Sequence, residues 1–343
     1  MPEVLYVTRE EIMTALDVKP SAYMRREVDR AARAGSRACE GRLHRIFYPE
    51  ILTRQFDWPN SQGGPDSRLW FDERSLISLT SITSGGVTIP NASAQLRPDL
   101  SGPPYSHIDL DRNTPSAYSG GPQRAVSITG LWGYRNDERQ IGTSLIIPST
   151  SATSITVSTP VDVGSVLRID SERVRVTGKT WALAGQTTPT ISADKASTSF
   201  SLADVSGFSF GETILIDAER MEIVDIAGNL LIVRRAAGGS VLAAHTAGTQ
   251  VYVERALTVV RGALGTTAAT HAAAAPVFLW EVPSMVKELS QAYAEDIFLQ
   301  RNSGYARTVG TGDSERQVSG RSIKGIEDRA FTIYGRGARM RAV

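Results

Sequence analysis

A chain of 343 residues is long enough for two or three domains. Its 37 Lys+Arg and 36 Asp+Glu nearly cancel, which excludes a broadly basic nucleic-acid binder, and 41% hydrophobic residues exclude wholesale disorder. A single cysteine, Cys39, excludes a disulfide framework and a paired-cysteine metal site. The chain contains no run of 18 apolar residues, and its polar, acidic first residues lack an apolar signal core, so the expectation is a soluble protein made in the cytoplasm.

In chain order, Thr8-Arg9-Glu10-Glu11 reads as a capping box opening a short helix to about Leu16. Pro20-Ser21 starts a longer helix to about Ile46, with Tyr23, Met24, Val28, Ala31, Ala32, Ala38 and Leu43 near helical spacing. This apolar stripe is thin and rich in alanine. Arginines surround it, among them Arg26, Arg30, Arg33 and Arg37, which suits a crowded bundle or a subunit interface. From 53 to 134 the texture turns to short strands, predicted at 53–58, 68–71, 76–83, 87–89, 107–110 and 126–132. Gly85-Gly86, Gly102-Pro103-Pro104 and Gly120-Gly121-Pro122 punctuate them.

Between about 144 and 280 helix signals vanish and the chain repeats itself. Residues 164–176 align with 211–223, both carrying Ile-Asp-x-Glu-Arg flanked by alternating apolar residues, which describes a β-hairpin. Residues 231–253 align without gaps to 257–279, matching Leu231 with Leu257, Val233 with Val259, Arg235 with Arg261, Gly239 with Gly265 and His245 with His271. The order is first half, first half, second half, second half, where a tandem duplication would alternate them. The simplest account is an outer β module (146–180 plus 255–281) holding a copy of itself (196–254). A continuous sandwich of four repeated hairpins is the rival.

Helix returns with Pro283 in its first turn and Val286, Leu289, Ala292, Tyr293, Ile297 and Phe298 on one face, to about Gln300. The remainder, 301–343, carries eight Arg and one Lys against Asp313, Glu315, Glu327 and Asp328, a net of +5, and its segment 304–343 reads as an extended basic tail. Within it, 326–334 is a stretch that orders on contact. The fold class is therefore α+β: a small helical bundle with strand-rich loops (1–140 plus 281–303), carrying an inserted all-β region of repeated modules.

Chemistry-bearing motifs are scarce. The chain has no phosphate-binding glycine loop, no HExxH and no GxSxG. His44 and His107 stand alone, and the equivalence of His245 and His271 assigns them to the fold of their modules rather than to a metal. Asp170 and Glu172, like Asp217 and Glu219, sit at hairpin turns where Asp suits the backbone and the Glu–Arg pair is expected to face water. Cys39 is read as a small packed residue. The expectation is no catalytic residue, no metal and no cofactor.

The two ends, joined, carry a resemblance. Tyr6-Val-Thr-Arg-Glu-Glu-Ile, Arg42-Leu-His-Arg-Ile-Phe-Tyr-Pro49, Thr53-Arg-Gln-Phe-Asp57, Leu69-Trp-Phe-Asp72, Leu79-Thr-Ser-Ile-Thr-Ser-Gly-Gly86 and Ile128-Thr-Gly-Leu-Trp-Gly-Tyr134 resemble, in that order, the head-to-tail adaptor (connector) proteins of long-tailed bacteriophages, especially those of actinobacterial hosts. In that family the Trp-Gly-Tyr segment is soon followed by a Pro-initiated helix, here 283–300, so about 140–281 looks like an insertion.

The resemblance implies a structural, non-enzymatic virion protein, a neck-ring subunit that joins the portal vertex to the tail and extends the DNA channel. It implies a homo-oligomeric ring of twelve subunits, a portal protein on one side, a stopper or tail protein on the other, passage of double-stranded DNA without sequence reading, and no membrane. The place is the virion neck, assembled in the host cytoplasm. The alternative is another β-rich virion component, a tail terminator or a capsid-decorating adhesin. Under the resemblance Arg26, Arg30, Arg33 and Arg37 serve the subunit interface. Tyr334, Arg336, Arg339 and Arg341 anchor the C-terminal segment on the portal. The insertion is expected to project outward, away from the channel.

Overall fold

The computed structural model describes residues 3–18, 21–58, 67–111, 113–114, 119–302, 308–309, 316–317 and 323–336. Pro20, Arg339 and Arg341 lie outside them. The fold is α+β, with four α-helices and antiparallel sheets among the described residues.

Helix α1 (Arg9–Ala15) is opened by the expected capping box: the Thr8 hydroxyl accepts from the Glu11 amide, and the Glu11 carboxylate accepts from the Thr8 amide at 3.0 Å. Helix α2 (Ala22–Leu43) starts on Ser21, whose hydroxyl accepts from the Met24 amide at 3.1 Å. It stops at His44, which turns into the left-handed region at φ +49°. The helix is therefore shorter than the expected run to Ile46, and Ile46, Phe47 and Tyr48 are fully packed instead.

Gly35 explains the thin apolar stripe of α2. A Cβ there would stand 2.6 Å from the Ser290 carbonyl oxygen and 2.8 Å from the Ala294 amide, so the backbone of α2 lies against that of α3 (Ser284–Asn302). The crowded neighbour of the Ala-rich face is another helix of the same chain.

A four-stranded sheet has the order β1 (Glu50–Phe56), β7 (Val126–Trp132), β3 (Leu76–Ser84), β4 (Val87–Ile89). A three-stranded one joins β2 (Arg68–Trp70), β6 (His107–Leu110) and β5 (Ala94–Arg97), the last of which the sequence pattern did not mark. The two share a core around Trp132, with Phe56, Phe71, Ile82 and Ile128. The Trp132 indole donates to the Leu52 carbonyl at 3.0 Å, which satisfies its polar end.

The β region follows with β8 (Glu138–Thr143), β9 (Ser154–Thr156), β10 (Val166–Ile169), β11 (Glu172–Thr187), β12 (Ser199–Ser201), β13 (Thr213–Ile216), β14 (Glu219–Ala227), β15 (Leu230–Arg234), β16 (Gln250–Val260) and β17 (Pro276–Trp280). They make one ten-stranded sheet over two separate apolar clusters. One cluster gathers Ile155, Leu167, Ile169, Val174, Leu257 and Val277. The other gathers Phe200, Ile214, Ile216, Met221, Leu231 and Val251. β11 and β16 each run through both. Thr180 pairs with Ala256, the register then shifts, and Ala182 pairs with Val253. Residues 182–187, expected to lie between the modules, thus belong to the sheet over the second cluster.

The C-terminal part differs from the expected extended tail. Helix α4 (Lys324–Tyr334) packs on α2 and α3, with Ile323 and Ala330 buried. It shares a core with Val4, Tyr6, Cys39, Leu43, Phe47, Trp280, Val286 and Leu289, so residues from both ends of the chain close one cluster. Tyr6 sits at its centre: its hydroxyl donates to Glu40 and accepts from the Phe47 amide at 3.1 Å.

Candidate functional site

The hairpin β10–β11 turns through Asp170-Ser171, with Asp170 in the left-handed region at φ +50°, a geometry Asp tolerates. Strand alternation after the turn puts Glu172 on the same face as Val174 and Val176, into the core. Its carboxylate is 0% exposed and meets donors on every side. Arg261 grips it as a fork, Nε to Oε1 and Nη2 to Oε2, both at 2.7 Å. The amides of Gly262 and Ala269 donate at 2.8 and 3.0 Å, and His271 Nε2 lies 2.8 Å from Oε2. The other ring nitrogen of His271 lies 2.7 Å from Asp170. Arg261 in turn reaches the carbonyls of Ser149, Ala152 and Ala269.

The same construction stands in the second cluster, residue for residue. Asp217 turns the hairpin β13–β14 at φ +53°. Glu219, 0% exposed, takes the Arg235 fork at 2.8 and 2.7 Å, the amides of Ala236 and Ala243 at 3.0 Å each, and His245 Nε2 at 2.9 Å. His245 Nδ1 lies 2.7 Å from Asp217.

The expectation that Glu172-Arg173 and Glu219-Arg220 face water is corrected: both glutamates and Arg173 are buried, and only Arg220 is half-exposed. The donors to the glutamates outweigh desolvation. Burial pushes the Glu172 carboxyl up, but Arg261, the two amides and His271 hold it down at about 2. Burial likewise acts on Glu219 against Arg235, His245 and two amides, which also leave it at about 2. A carboxylate so saturated keeps no acceptor free to take a proton from a substrate. Its work is to tie turn, strand and returning loop together. The two histidines serve their modules in this geometry. Among the described residues no group of three or more His, Cys, Asp and Glu is arranged to hold a metal ion.

The arginine face of α2 is arranged differently. Arg37 pairs with Glu40 at 2.9 Å and donates to the Val4 carbonyl at 2.6 Å, which ties the N-terminal segment to the helix. Arg33 pairs with Glu3 at 3.3 Å, and Arg30 and Arg26 lie 3.9 and 4.0 Å from Glu27. Arg26, Arg30 and Arg33 keep most of their side chains exposed. Cys39 is buried against the Val286 carbonyl, and burial pushes its thiol up to about 12, which makes it inert packing.

Tyr334 and Arg336, expected on a portal surface, make contacts inside this chain. The Tyr334 ring packs edge-on against Phe47 and Tyr134, at 5.9 and 5.3 Å between centroids. Arg336 donates to the carbonyls of Phe71 and Asp72.

The joint between the helices and the β region is dense. The Arg9 amide donates to the Val163 carbonyl at 3.1 Å, the Val163 amide to Glu10 at 2.9 Å and Thr8 to Asp162 at 3.2 Å. Lys179 bridges Glu10 at 3.0 Å and Glu254 at 3.5 Å. Asp162 is pushed up to about 6, first by burial and then by Glu10. On the other flank the Ile51 amide donates to the Leu264 carbonyl, and a Cβ at Gly265 would meet the Ile51 oxygen at 2.1 Å, so only glycine fits. The strands of the β region are thus joined to the N-terminal part along two lines, one at α1 and one at β1.

No helix among the described residues is long and apolar enough to cross a membrane. The chain matches no protein-family model, no curated protein and no solved structure.

Proposed function

We propose that the chain is a structural virion protein without enzymatic activity or cofactor, a subunit of the neck ring that joins the portal vertex of a phage capsid to its tail and extends the DNA channel. The observation that carries this reading is the single core closed by the two ends: Val4, Tyr6 and Phe47 from one side, Val286, Leu289, Ile323 and Ala330 from the other. The motifs resembling adaptor proteins flank the β region in sequence and meet in space, as a small helical bundle with a large insertion requires. Closed cyclic assembly needs two different faces per subunit. The exposed arginines Arg26, Arg30 and Arg33 of α2 supply one, and the near-neutral net charge limits the grip of the channel on passing DNA.

Within this reading the β region is one module carrying a copy of itself. The pairing Ala227 with Leu230 closes the second module's hairpin through Gly228-Asn229, and the equivalent pairing, Thr180 with Ala256, is joined by the whole of 181–255. The inner copy stands where the outer one has lost its turn.

Because Tyr334 and Arg336 are engaged within the subunit, Arg339 and Arg341 become the proposed portal anchors. Removing 337–343 takes them away and leaves α4 in place. Co-sedimentation with a purified portal ring tests this. Full-length chain is expected in the pellet with the portal, and the shortened chain and an R339E/R341E variant in the supernatant. Full-length chain that stays in the supernatant would overturn the reading.

A further inference from the structure

The two modules bury the same network but present different outward faces. In the outer module the face carries Arg168, Arg173 and Phe278. It is neutralised from within the chain: Glu138 lies 2.5 Å from Arg168 and 3.6 Å from Arg173, Asn136 accepts from Arg173 at 2.9 Å, and the Arg168 guanidinium lies 4.2 Å above the Phe278 ring. The ladder registers place an equivalent row on the inner module. Leu183 pairs with Tyr252, Tyr252 with Leu215, and Leu215 with Arg220, so these four side chains stand in line on one face.

Glu138 pairs with Trp280 on the outer module; on the inner one Trp181 occupies the irregularity between the pairs Thr180–Ala256 and Ala182–Val253, beside Glu254, the residue that matches Trp280. An indole therefore replaces the carboxylate. Arg220, the counterpart of buried Arg173, has its guanidinium 5.8 Å from the Trp181 ring and no carboxylate within ion-pair distance among the described residues. Leu183 beside it is 62% exposed, and Leu215, Tyr252, Trp181 and Arg220 are half-buried.

We propose that this row is a docking surface for an extended acidic–aliphatic segment of a partner protein, which sets a carboxylate on Arg220 and apolar side chains over Trp181, Leu183 and Tyr252. Charge complementarity argues for it: the sister arginine in the same module position is satisfied by a carboxylate, and Arg220 holds a cation over an aromatic ring with that anion missing. The apolar neighbours argue for a side chain beside the acid rather than a free anion. The inference does not depend on the neck-ring reading.

The experiment uses the full-length chain and a fluorescein-labelled peptide, acetyl-Leu-Ser-Leu-Ser-Glu-amide, whose two Leu and one Glu share a face when extended, followed by anisotropy. Binding is expected at micromolar to millimolar peptide, weakened at least ten-fold by R220Q or by replacing the peptide's Glu with Gln, and retained by R220K and by R234Q, which removes an arginine already paired with Glu222. R220K also keeps the test valid if R220Q folds poorly. No binding at 1 mM peptide overturns the proposal, as does binding indifferent to R220Q. Displacement of the peptide by a polygalacturonate oligomer, with higher affinity for the sugar, would reassign the face to acidic glycans. Self-association abolished by L183D would reassign it to a second copy of the chain. Either outcome overturns the proposal.

Discussion

The two β modules, outer and inner in the proposed nesting, share every contact of their buried carboxylates, yet differ wherever they meet something else. Glu172 and Glu219 each hold five hydrogen bonds from four partners in equivalent places. Outside, the outer module sends Val166, Leu264 and Trp280 into the core of the helical unit, whereas the inner one has Thr213, Gly238 and Glu254 at the matching positions. The comparison separates two kinds of constraint. A module needs its internal clamp to fold, so the clamp is kept in both copies. Its outward face answers to its neighbour, and the two neighbours differ.

The largest expected effect breaks the symmetry of the clamps. Removing either carboxylate strands a buried arginine fork, at a cost of about 3–5 kcal/mol. If the modules are nested, the consequences are unequal. Glu219→Ala is expected to loosen the inner module alone, while Glu172→Ala disturbs the strands from which the inner module emerges. Hydrogen exchange is the check: amides of β13–β15 exchange fast in both variants, those of β10 and β17 only in Glu172→Ala. Equal loss in both modules from Glu219→Ala would favour one continuous sandwich.

Acid probes the same pair together. A carboxylate held at about 2 in the fold and near 4.5 in the open chain contributes stability that is complete above about pH 4.5 and lost as pH falls through 2. Each is worth on the order of 3 kcal/mol by this shift. Urea midpoints measured from pH 7 to pH 2 are expected to fall over that window, and the fall to flatten in a Glu172→Gln/Glu219→Gln double variant, which starts less stable.

Asp162, at the joint that only the outer module makes, behaves in the opposite sense. Its carboxyl is raised to about 6, so keeping it ionised inside the fold costs stability progressively as pH rises from about 4 through 6. Asp162→Asn is expected to gain about 1 kcal/mol at pH 8 and nothing at pH 4, after allowance for solvent screening. Denaturation at the two pH values reads it directly; a loss at pH 8 would mean that the Thr8 contact outweighs the charge.

The smallest expected change is from the boldest cut. Replacing 181–255 by Gly-Asn gives the outer hairpin the turn its sister has. The outer clamp is expected to survive, with the amides of Gly262 and Ala269 still protected from exchange. Aggregation or loss of that protection would contradict nesting.

Much of this was legible before any coordinates. Thr8, Ser21 and Pro283 mark helix starts because caps are local chemistry. The repeats paired Arg235 with Arg261 and His245 with His271. What the pattern hid was long-range. Glu172 looks like a solvated turn flank because Arg261 is 89 residues away, and only the return of β16 brings them together. The repeat carried the missing signal, since Glu, Arg and His recur as a set. The end of α2 at His44 is not legible locally, because nothing in Arg42-Leu-His-Arg breaks a helix by propensity; packing of Phe47 and Tyr48 decides it. The docked helix 324–334 was half visible as a stretch that orders on contact, and its contact proved to be this chain's own α2 and α3. The row from Leu183 to Arg220 depends on strand register across four strands, which spacing alone does not supply.

The central claim is that the unit closed by both chain ends tiles around a hole, and the mass of the native particle tests it most directly. Native mass spectrometry of the purified chain, alone and with portal, is expected to show a closed assembly near twelve copies. A species that stays monomeric at high concentration and in the presence of portal would contradict the account.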